Sequence, residues 1–515
     1  MPLATSSSTA QPAVEPGPRP SAVIVTVSPH SDGVRAVYEL PEPTDRVVLV
    51  KSDAVRRDAW RVVTAGVRLL DGALVGDRPR VSFEVVIPPD SAERDRVYPS
   101  LHRVGEGVAI YGPALLVDGI ETRVVLRPGA GEVAIPEREA ERGYAWMGPA
   151  GAVQQGERFR LVDGGLAAPW IGEHVSREAA TALAYYERKL ERRGRAPTFL
   201  VSTQSTGLRD YRGDASENGV ISLRFFDPRW NARNPSAAAS LATFVRHELF
   251  HLWNGRVAPR TPPWLYEGGA EYAAIVAAVD AGALTHEKGI EQVSFHVESC
   301  RAALGDRALA GFELSGPQIY WCGVALHWIA DTEARASSKG QRDTFAIWRD
   351  LLRPGDDHPY TLEDLRAVTG PTVAAMLDDE GPERWPRIAA ALTKYGATVT
   401  DAIEDRGWRA ATLQHLLAEH CAGGRRGFYT EADFVRLDTP SDCGPLTGNP
   451  ELVEVGGAKL MKAPQKAFEA LRRACKEGGS VTLGTRGGVK LRVACTRPPV
   501  LPVRLAVLGA PPLGR

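Results

Sequence analysis

One segment restricts the fold of this chain more than any other: residues 234–255, NPSAAASLATFVRHELFHLWNG. Asn234 is a preferred helix N-cap residue, and Pro235 suits the first helical position because its missing N–H needs no partner there. Gly255 is a favoured residue just past a helix end. The sequence therefore predicts one helix with clear ends, and the motif HELFH lies deep inside it.

His247 and His251 are four residues apart in this motif. Residues at that spacing lie one turn apart on the same helix face, so both imidazoles can reach one metal ion. Glu248 is rotated by about 100° from His247, beside the metal, where a general base for a metal-activated water belongs. The competing interpretation is a buried structural histidine pair next to a solvated glutamate.

A third ligand is needed for a catalytic zinc site, which uses three protein ligands and leaves one position open. The downstream segment PPWLYEGGAEY predicts a second helix from Pro263, with Glu267 in its first turns and Glu271 one turn later. We expect Glu267 to be the ligand and Glu271 to accept a hydrogen bond from a ligand histidine. The alternative is that Glu271 itself is the ligand.

The pattern of apolar residues changes along the chain and indicates regions of different secondary structure. For a chain of this length we expect several domains, and the pattern predicts a multidomain α+β fold. Short alternating runs predict an N-terminal β-sandwich. A helix over 177–193, capped by Ser176, and strands at 198–202 and 219–226 precede the HELFH helix. The expected regions are a disordered leader (1–21), the β-sandwich domain (22–138), the catalytic subdomain with the HELFH helix (139–280), a helical subdomain (281–398) and a small α+β domain (399–515).

HELFHLWNG followed by WLYEGGAEY resembles the glycyl aminopeptidase family, zinc peptidases with a thermolysin-like catalytic domain and often a PDZ module. It is also similar to the larger aminopeptidase family whose third ligand lies in a W-L-x-E-G segment. The resemblance implies a gluzincin-type Zn²⁺ aminopeptidase that hydrolyses peptides beginning with small residues such as Gly or Ala. The interval between His251 and Glu267 is shorter than in these families, which leaves substrate preference open.

Two further residues gain a role through this resemblance. Glu217, in RGDASENGV, resembles the glutamate of the G-A-M-E-N segment, which holds the free α-amine of the substrate. Tyr320, in SGPQIYWCGVALHW, matches the tyrosine that stabilises the oxyanion. The alternatives are a polar turn before a strand for Glu217 and a core tyrosine for Tyr320.

The C-terminal region follows the element order of a PDZ domain. Gly427 and Phe428 would open a carboxylate-binding loop, VEVGG would form a turn, and a helix is expected at 464–476. This order implies a PDZ-like fold that can bind a peptide or protein partner, although the hydrophobic loop is poorly matched.

The composition bears on nucleic-acid binding, on membrane insertion and on the compartment of the protein. With 62 basic and 63 acidic side chains, the formal charge of -1 gives no electrostatic basis for nucleic-acid binding. No apolar run is long enough for a membrane span. We therefore expect a soluble protein. The six cysteines are compatible with buried thiols or with disulfides, so the sequence leaves two compartments open: the periplasm or cell envelope, with the export signal absent from this chain, or the cytoplasm.

The sequence leaves two alternatives to the aminopeptidase function. A zinc endopeptidase on the same scaffold would not need Glu217, because an amine-binding carboxylate serves an enzyme that holds N-termini. A non-catalytic PDZ-like scaffold protein is the other, and the complete set of candidate ligands argues against it.

Overall fold

The computed structural model describes residues 22–51, 55–90, 98–164, 168–203, 211–226, 228–353, 359–400, 403, 405–421, 427–439, 442–476, 479–499 and 506–509. The predicted leader, 1–21, lies outside the described residues. Within these ranges the chain is a multidomain α+β protein, as predicted, with eleven α-helices and several separate sheets.

The strands are β1 (Val23–His30), β2 (Gly33–Val48), β3 (Val55–Arg56), β4 (Arg61–Val62), β5 (Val67–Leu70), β6 (Ala73–Ile87), β7 (Tyr98–Pro99), β8 (Leu101–Val104), β9 (Gly107–Tyr111), β10 (Thr122–Leu126), β11 (Glu132–Ile135), β12 (Tyr144–Pro149), β13 (Gln154–Gln155), β14 (Arg160–Val162), β15 (Thr198–Thr203), β16 (Tyr211–Ala215), β17 (Val220–Phe225), β18 (Thr398–Thr400), β19 (Gly427–Thr430), β20 (Val435–Asp438), β21 (Glu451–Val455), β22 (Ala458–Lys459), β23 (Ser480–Thr485), β24 (Lys490–Ala494) and β25 (Ala506–Gly509). The helices are α1 (Trp170–Leu190), α2 (Pro235–Asn254), α3 (Pro263–Asp280), α4 (His286–Leu304), α5 (Gln318–Ser337), α6 (Thr344–Leu352), α7 (Leu362–Val368), α8 (Pro371–Asp378), α9 (Arg384–Lys394), α10 (Asp405–His420) and α11 (Pro464–Lys476).

The N-terminal region contains two sheets that share one core. The first has the order β10-β1-β2-β6-β4 with β5 also on β6, and the second has the order β11-β12-β9-β8. Alternate residues of β1, such as Val25, are buried with Ile110 and Met147 of the second sheet, as the period-two pattern requires. The proposed boundary between residues 138 and 139 falls between β11 and β12, which pair in one sheet.

The sheet next to the HELFH helix has the order β13-β14-β15-β17-β16. Strands β14, β15 and β17 run parallel, and β16 forms an antiparallel edge. The strands predicted at 198–202 and 219–226 correspond to β15 and β17. One face of this sheet packs on the second N-terminal sheet, where Leu200 and Val220 meet Trp146.

The predicted start of α1 is wrong. The helix begins at Trp170 instead of after Ser176, and it ends at Leu190 because Glu191 adopts a left-handed conformation with φ 52°. Ile171 and Val175 of the first turns are fully buried in the main core. Packing of these apolar residues extends the helix past a residue that is locally a good N-cap.

The two helices that carry the candidate ligands begin where the sequence predicts. Asn234 accepts a hydrogen bond from the Ala237 N–H at 2.9 Å, which caps α2, and Gly255 follows its last residue. α3 begins at Pro263. The region from α4 to α9 is helical, as predicted, and α3 packs against α5 through the main core.

At the C-terminal end, the sheet β19-β20-β21-β23-β24, with β22 on β21, packs with α10 and α11. The helix predicted at 464–476 is α11. Trp408 of α10 lies 5.1 Å from Phe468 of α11, measured between ring centroids. The PDZ-like identity of this region stays a prediction.

All six cysteines form disulfides, which decides between the two alternatives that the sequence left open. Cys300–Cys322 joins α4 to α5, while Cys421–Cys443 and Cys475–Cys495 lie in the C-terminal region. In the part of the chain that is described, no helix combines the length and the apolar character needed to cross a membrane.

Candidate metal centre

Helices α2 and α3 bring three donor atoms to one point. The Nε2 atoms of His247 and His251 are 3.2 Å apart, and Glu267 Oε2 lies 3.4 Å from the first and 3.6 Å from the second. Ligands at about 2.0–2.1 Å from zinc in tetrahedral directions are about 3.3 Å from one another. The triangle therefore has the size that a zinc ion requires, and a tetrahedral ion held by three protein ligands would have a fourth position for water.

The other ring nitrogens fix the orientation of both imidazoles. Glu271 Oε2 lies 2.9 Å from His247 Nδ1, and Asn254 Oδ1 lies 2.9 Å from His251 Nδ1. Because a carboxylate and an amide oxygen only accept, each Nδ1 donates its proton, and each Nε2 is the ring nitrogen directed into the triangle. Glu271 therefore accepts a hydrogen bond from His247.

Asn254 was not identified from the sequence. Its side chain is fully buried, and its amide nitrogen donates to the Tyr266 carbonyl at 2.8 Å. One residue therefore orients His251 and ties the end of α2 to the start of α3. The available signal was its position, three residues after His251 on the last helical turn, which places it next to that histidine.

The charges in the centre suit metal binding. Burial raises the pKa of Glu267, but the neighbouring His251 and His247 outweigh burial and hold the pKa of Glu267 well below its usual range. Burial lowers the pKa of His247, but its hydrogen bonds to Glu267 and Glu271 outweigh this effect and raise that pKa well above its usual value. Metal binding would therefore displace a proton from a site whose carboxylate ligand is already ionised.

Glu248 lies beside the triangle and is not one of its corners. Burial raises the pKa of Glu248 to about 7, which suits a group that exchanges protons near neutral pH. The edge strand β16 covers this carboxylate through Gly213, where a Cβ atom would lie 2.2 Å from Glu248 Oε1. Gly213 was also missed, because nothing in the sequence says which strand residue faces α2.

Tyr320 of α5 reaches the same centre. Its ring centroid is 5.9 Å from that of His247, and its hydroxyl lies near the Glu267 carboxylate. Burial, followed by the charge of Glu267, raises the pKa of Tyr320, so its hydroxyl remains protonated and can donate a hydrogen bond. The helices α3 and α5 approach closely where Gly268 meets Gly323.

Glu217 lies in a tight turn between β16 and β17, where the Gly219 N–H donates to the Ser216 carbonyl at 2.9 Å. Its side chain is exposed, and its backbone carbonyl accepts a hydrogen bond from Arg195 at 2.9 Å. This is the geometry of the polar turn that was the alternative interpretation. The acidic residue of this hairpin whose charge acts on Glu248 is Asp214. The amine-binding role of Glu217 stays a prediction.

Comparison with known proteins gives information on the fold. No family model and no curated protein matches this sequence. Among solved structures, an aminopeptidase N family protein from Idiomarina loihiensis matches over 94% of this chain and 98% of its own, with a TM-score of 0.59 and 11% identity. A Legionella pneumophila aminopeptidase A crystallised with aspartic acid matches over 70% of this chain and 49% of its own, with a TM-score of 0.44 and 11% identity.

The likeness to the Idiomarina protein extends over nearly the whole of both chains. At 11% identity it establishes the fold, and the chain therefore shares the overall fold of an aminopeptidase N family protein. A shared fold does not fix the reaction, which depends on the residues of the site.

Proposed function

We propose that this protein is a zinc-dependent aminopeptidase that removes small N-terminal residues, such as Gly or Ala, from peptides. The observation that carries the proposal is the triangle of His247, His251 and Glu267 with Glu248 buried beside it. The fold shared with an aminopeptidase N family protein supports the same reaction class. The preference for small residues rests on the sequence resemblance to glycyl aminopeptidases.

In this proposal His247, His251 and Glu267 hold the metal, and Glu271 and Asn254 keep the two imidazoles in the ligating tautomer. A bound zinc supplies Lewis acidity, which makes water more acidic and polarises the scissile carbonyl. Glu248 accepts the proton of the attacking water and then delivers it to the nitrogen of the leaving amine. Each peptide hydrolysed thus consumes one water and leaves Glu248 as it began.

Tyr320 completes the proposed machinery. Its neutral phenol lies next to Glu267 and can donate a hydrogen bond to the carbonyl oxygen as negative charge develops there. A donor fixed in a buried site stabilises that charge more than a mobile water does, because it needs no reorganisation during the reaction.

The proposal is tested by hydrolysis of Gly-, Ala- and Leu-aminoacyl fluorogenic substrates, with and without a chelator. We expect cleavage of the small substrates, loss of activity with chelator and recovery with Zn²⁺. Glu248→Gln should keep the metal and lose turnover. Glu291→Gln, at an exposed position of α4, is the matched control and should behave like the wild type. Near-full hydrolysis by Glu248→Gln would contradict the mechanism.

Exopeptidase specificity is tested separately with N-acetylated peptides. If Glu217 holds the cationic α-amine, acetylation and Glu217→Ala should each slow cleavage strongly, because each removes one half of a charge pair. Equal rates on blocked and free peptides would identify a zinc endopeptidase. Slow cleavage of blocked peptides with an unaffected Glu217→Ala would retain the aminopeptidase and move amine binding to another group, with Asp214 the first to examine.

Two further proposals concern the rest of the chain. Three disulfides favour folding in an oxidising compartment, so we propose export to the cell envelope. We also propose a PDZ-like role in peptide binding for the C-terminal region, supported by its order of strands and by α11. Titration of the protein with peptides that carry a free C-terminal carboxylate tests this role, and the absence of saturable binding would remove it.

A further inference from the structure

A second group of metal-binding side chains lies in the C-terminal region, apart from the candidate centre. His415 and Glu419 are one turn apart on α10, with His415 Nε2 3.0 Å from Glu419 Oε2. The same His415 Nε2 is 3.9 Å from the sulfur of Cys475, which is bonded to Cys495. A disulfide, an imidazole and a carboxylate therefore meet at one point.

Neighbouring backbone groups position the two polar side chains of this group. Glu419 Oε1 accepts hydrogen bonds from the backbone N–H groups of Thr496 and Arg497, which leaves Oε2 facing His415. His415 also lies beside the backbone of Arg497. The side chains of His415 and Glu419 are only 9% and 4% exposed. Two buried polar groups, oriented by their neighbours, thus point toward the disulfide.

We propose that reduction of Cys475–Cys495 creates a second zinc site formed by Cys475, Cys495, His415 and Glu419. A phosphine reductant, with one water, converts the disulfide into two thiols and is itself oxidised to a phosphine oxide. Zn²⁺ then replaces the two thiol protons, which are released, and the ion is bound by two sulfurs, one nitrogen and one oxygen. In the oxidised protein the sulfurs are not thiolates, so the site binds no zinc.

The distances fit this ligand set. Zinc binds sulfur at about 2.3 Å and nitrogen or oxygen at about 2.0–2.2 Å, so tetrahedral ligands lie from about 3.3 Å apart for nitrogen and oxygen to about 3.8 Å apart for two sulfurs. The observed separations of 3.0 Å between His415 and Glu419 and 3.9 Å between His415 and Cys475 lie on either side of those values. Side-chain movements of a few tenths of an ångström would complete the geometry on these two edges, and reduction lets the two sulfurs separate.

Cobalt distinguishes this site from the first one. Co²⁺ takes the same tetrahedral positions as zinc, and thiolate ligands give it an intense near-ultraviolet charge-transfer band. His247, His251 and Glu267 include no sulfur, so cobalt bound there gives no such band. The protein is freed of metal with a chelator, treated with a phosphine reductant, and titrated with Co²⁺. We expect the reduced protein to develop a thiolate band whose final intensity corresponds to one thiolate-bound cobalt per chain, and the oxidised protein to show no such band.

The variants keep this experiment decisive. His415→Ala and Glu419→Gln should each weaken cobalt binding at the thiolate site at least tenfold, although both retain every cysteine. His420→Ala, on the same helix but outside the group, is the matched control and should retain the band. A variant with Cys421 and Cys443 both replaced by alanine should also retain it.

A reduced protein without the thiolate band would overturn the proposal. So would a band that His415→Ala and Glu419→Gln leave unchanged, because thiols alone would then bind the metal. Far-ultraviolet circular dichroism of each variant establishes that it is folded. The readout does not depend on peptidase activity, so failure of the proposed function and failure of this site are separate results.

Discussion

Gly323→Ala tests whether the close approach of α3 and α5 sets the position of Tyr320. A Cβ atom at Gly323 would lie 2.1 Å from the Trp264 carbonyl oxygen and 2.5 Å from Gly268 Cα. Both of these are backbone atoms, so no side chain can turn aside to make room. Cβ contacts below 3.0 Å essentially do not occur, and the helices must separate by at least about 0.9 Å.

The separation acts directly on the proposed machinery, because Glu267 precedes Gly268 on α3 and Tyr320 lies one turn before Gly323 on α5. A displacement of about 1 Å at a catalytic group can reduce the rate about 100-fold. The same change overpacks a buried contact, which costs about 1–3 kcal/mol of unfolding free energy, while the better helix propensity of alanine returns about 1 kcal/mol. We therefore expect a large fall in kcat with a smaller loss of stability.

The assay combines kcat and KM on an Ala-aminoacyl substrate with zinc content and thermal unfolding. Gly311→Ala is the matched control, since a Cβ atom there has nothing within 4 Å. If the effect passes through Tyr320, then Tyr320→Phe and Gly323→Ala combined should lose little more than either alone. A Gly323→Ala enzyme with wild-type kcat and unchanged melting temperature would refute the reasoning, and a loss of kcat accompanied by loss of zinc would assign the effect to the metal centre.

Three other outcomes are expected. Glu271→Gln should weaken zinc binding about 10–100-fold in chelator competition, because the neutral amide no longer holds and polarises His247 as a carboxylate does, and an unchanged affinity would exclude that role. Asn254→Ala should weaken zinc binding through His251, and normal affinity would show that this histidine needs no such partner. Burial lowers the pKa of His327 to about 4 from 6.5, so the unfolded chain binds the proton first and stability is lost as pH falls from about 6.5 to 4. His327→Gln should remove about 3 kcal/mol of that pH dependence in denaturant titrations, and an unchanged slope would contradict the assignment.

The ends of α2 and the spacing of its histidines could be predicted because they depend on residues close together in the sequence. Asn234 caps the helix through its own third neighbour, and the period of the helix alone brings His247 and His251 to one face. The next helix start, at Pro263, is a local property of the same kind, and it placed Glu267 and Glu271 one turn apart. Local sterics and hydrogen bonding act over three or four residues, and these predictions depend only on such local interactions.

Tertiary structure decided the features that join distant residues. The sequence could not show that α1 begins before Ser176, since the burial of Ile171 and Val175 depends on a core assembled from the whole region. It left open whether the cysteines pair, and the pairing of Cys475 with Cys495 follows from the meeting of a helix end and a strand end.

The candidate metal centre also combines features that the sequence predicts with features that only the tertiary structure decides. Sequence alone determined which residue types are present and which of them share a helix face. Only the packing of α3 on α2 decides that Glu267 closes the triangle while Glu271 binds His247 from behind, and only β16 decides that Gly213 covers Glu248 while Glu217 faces solvent. A side chain's direction relative to another element depends on how the two elements pack, and that packing is fixed by the contacts of the entire core.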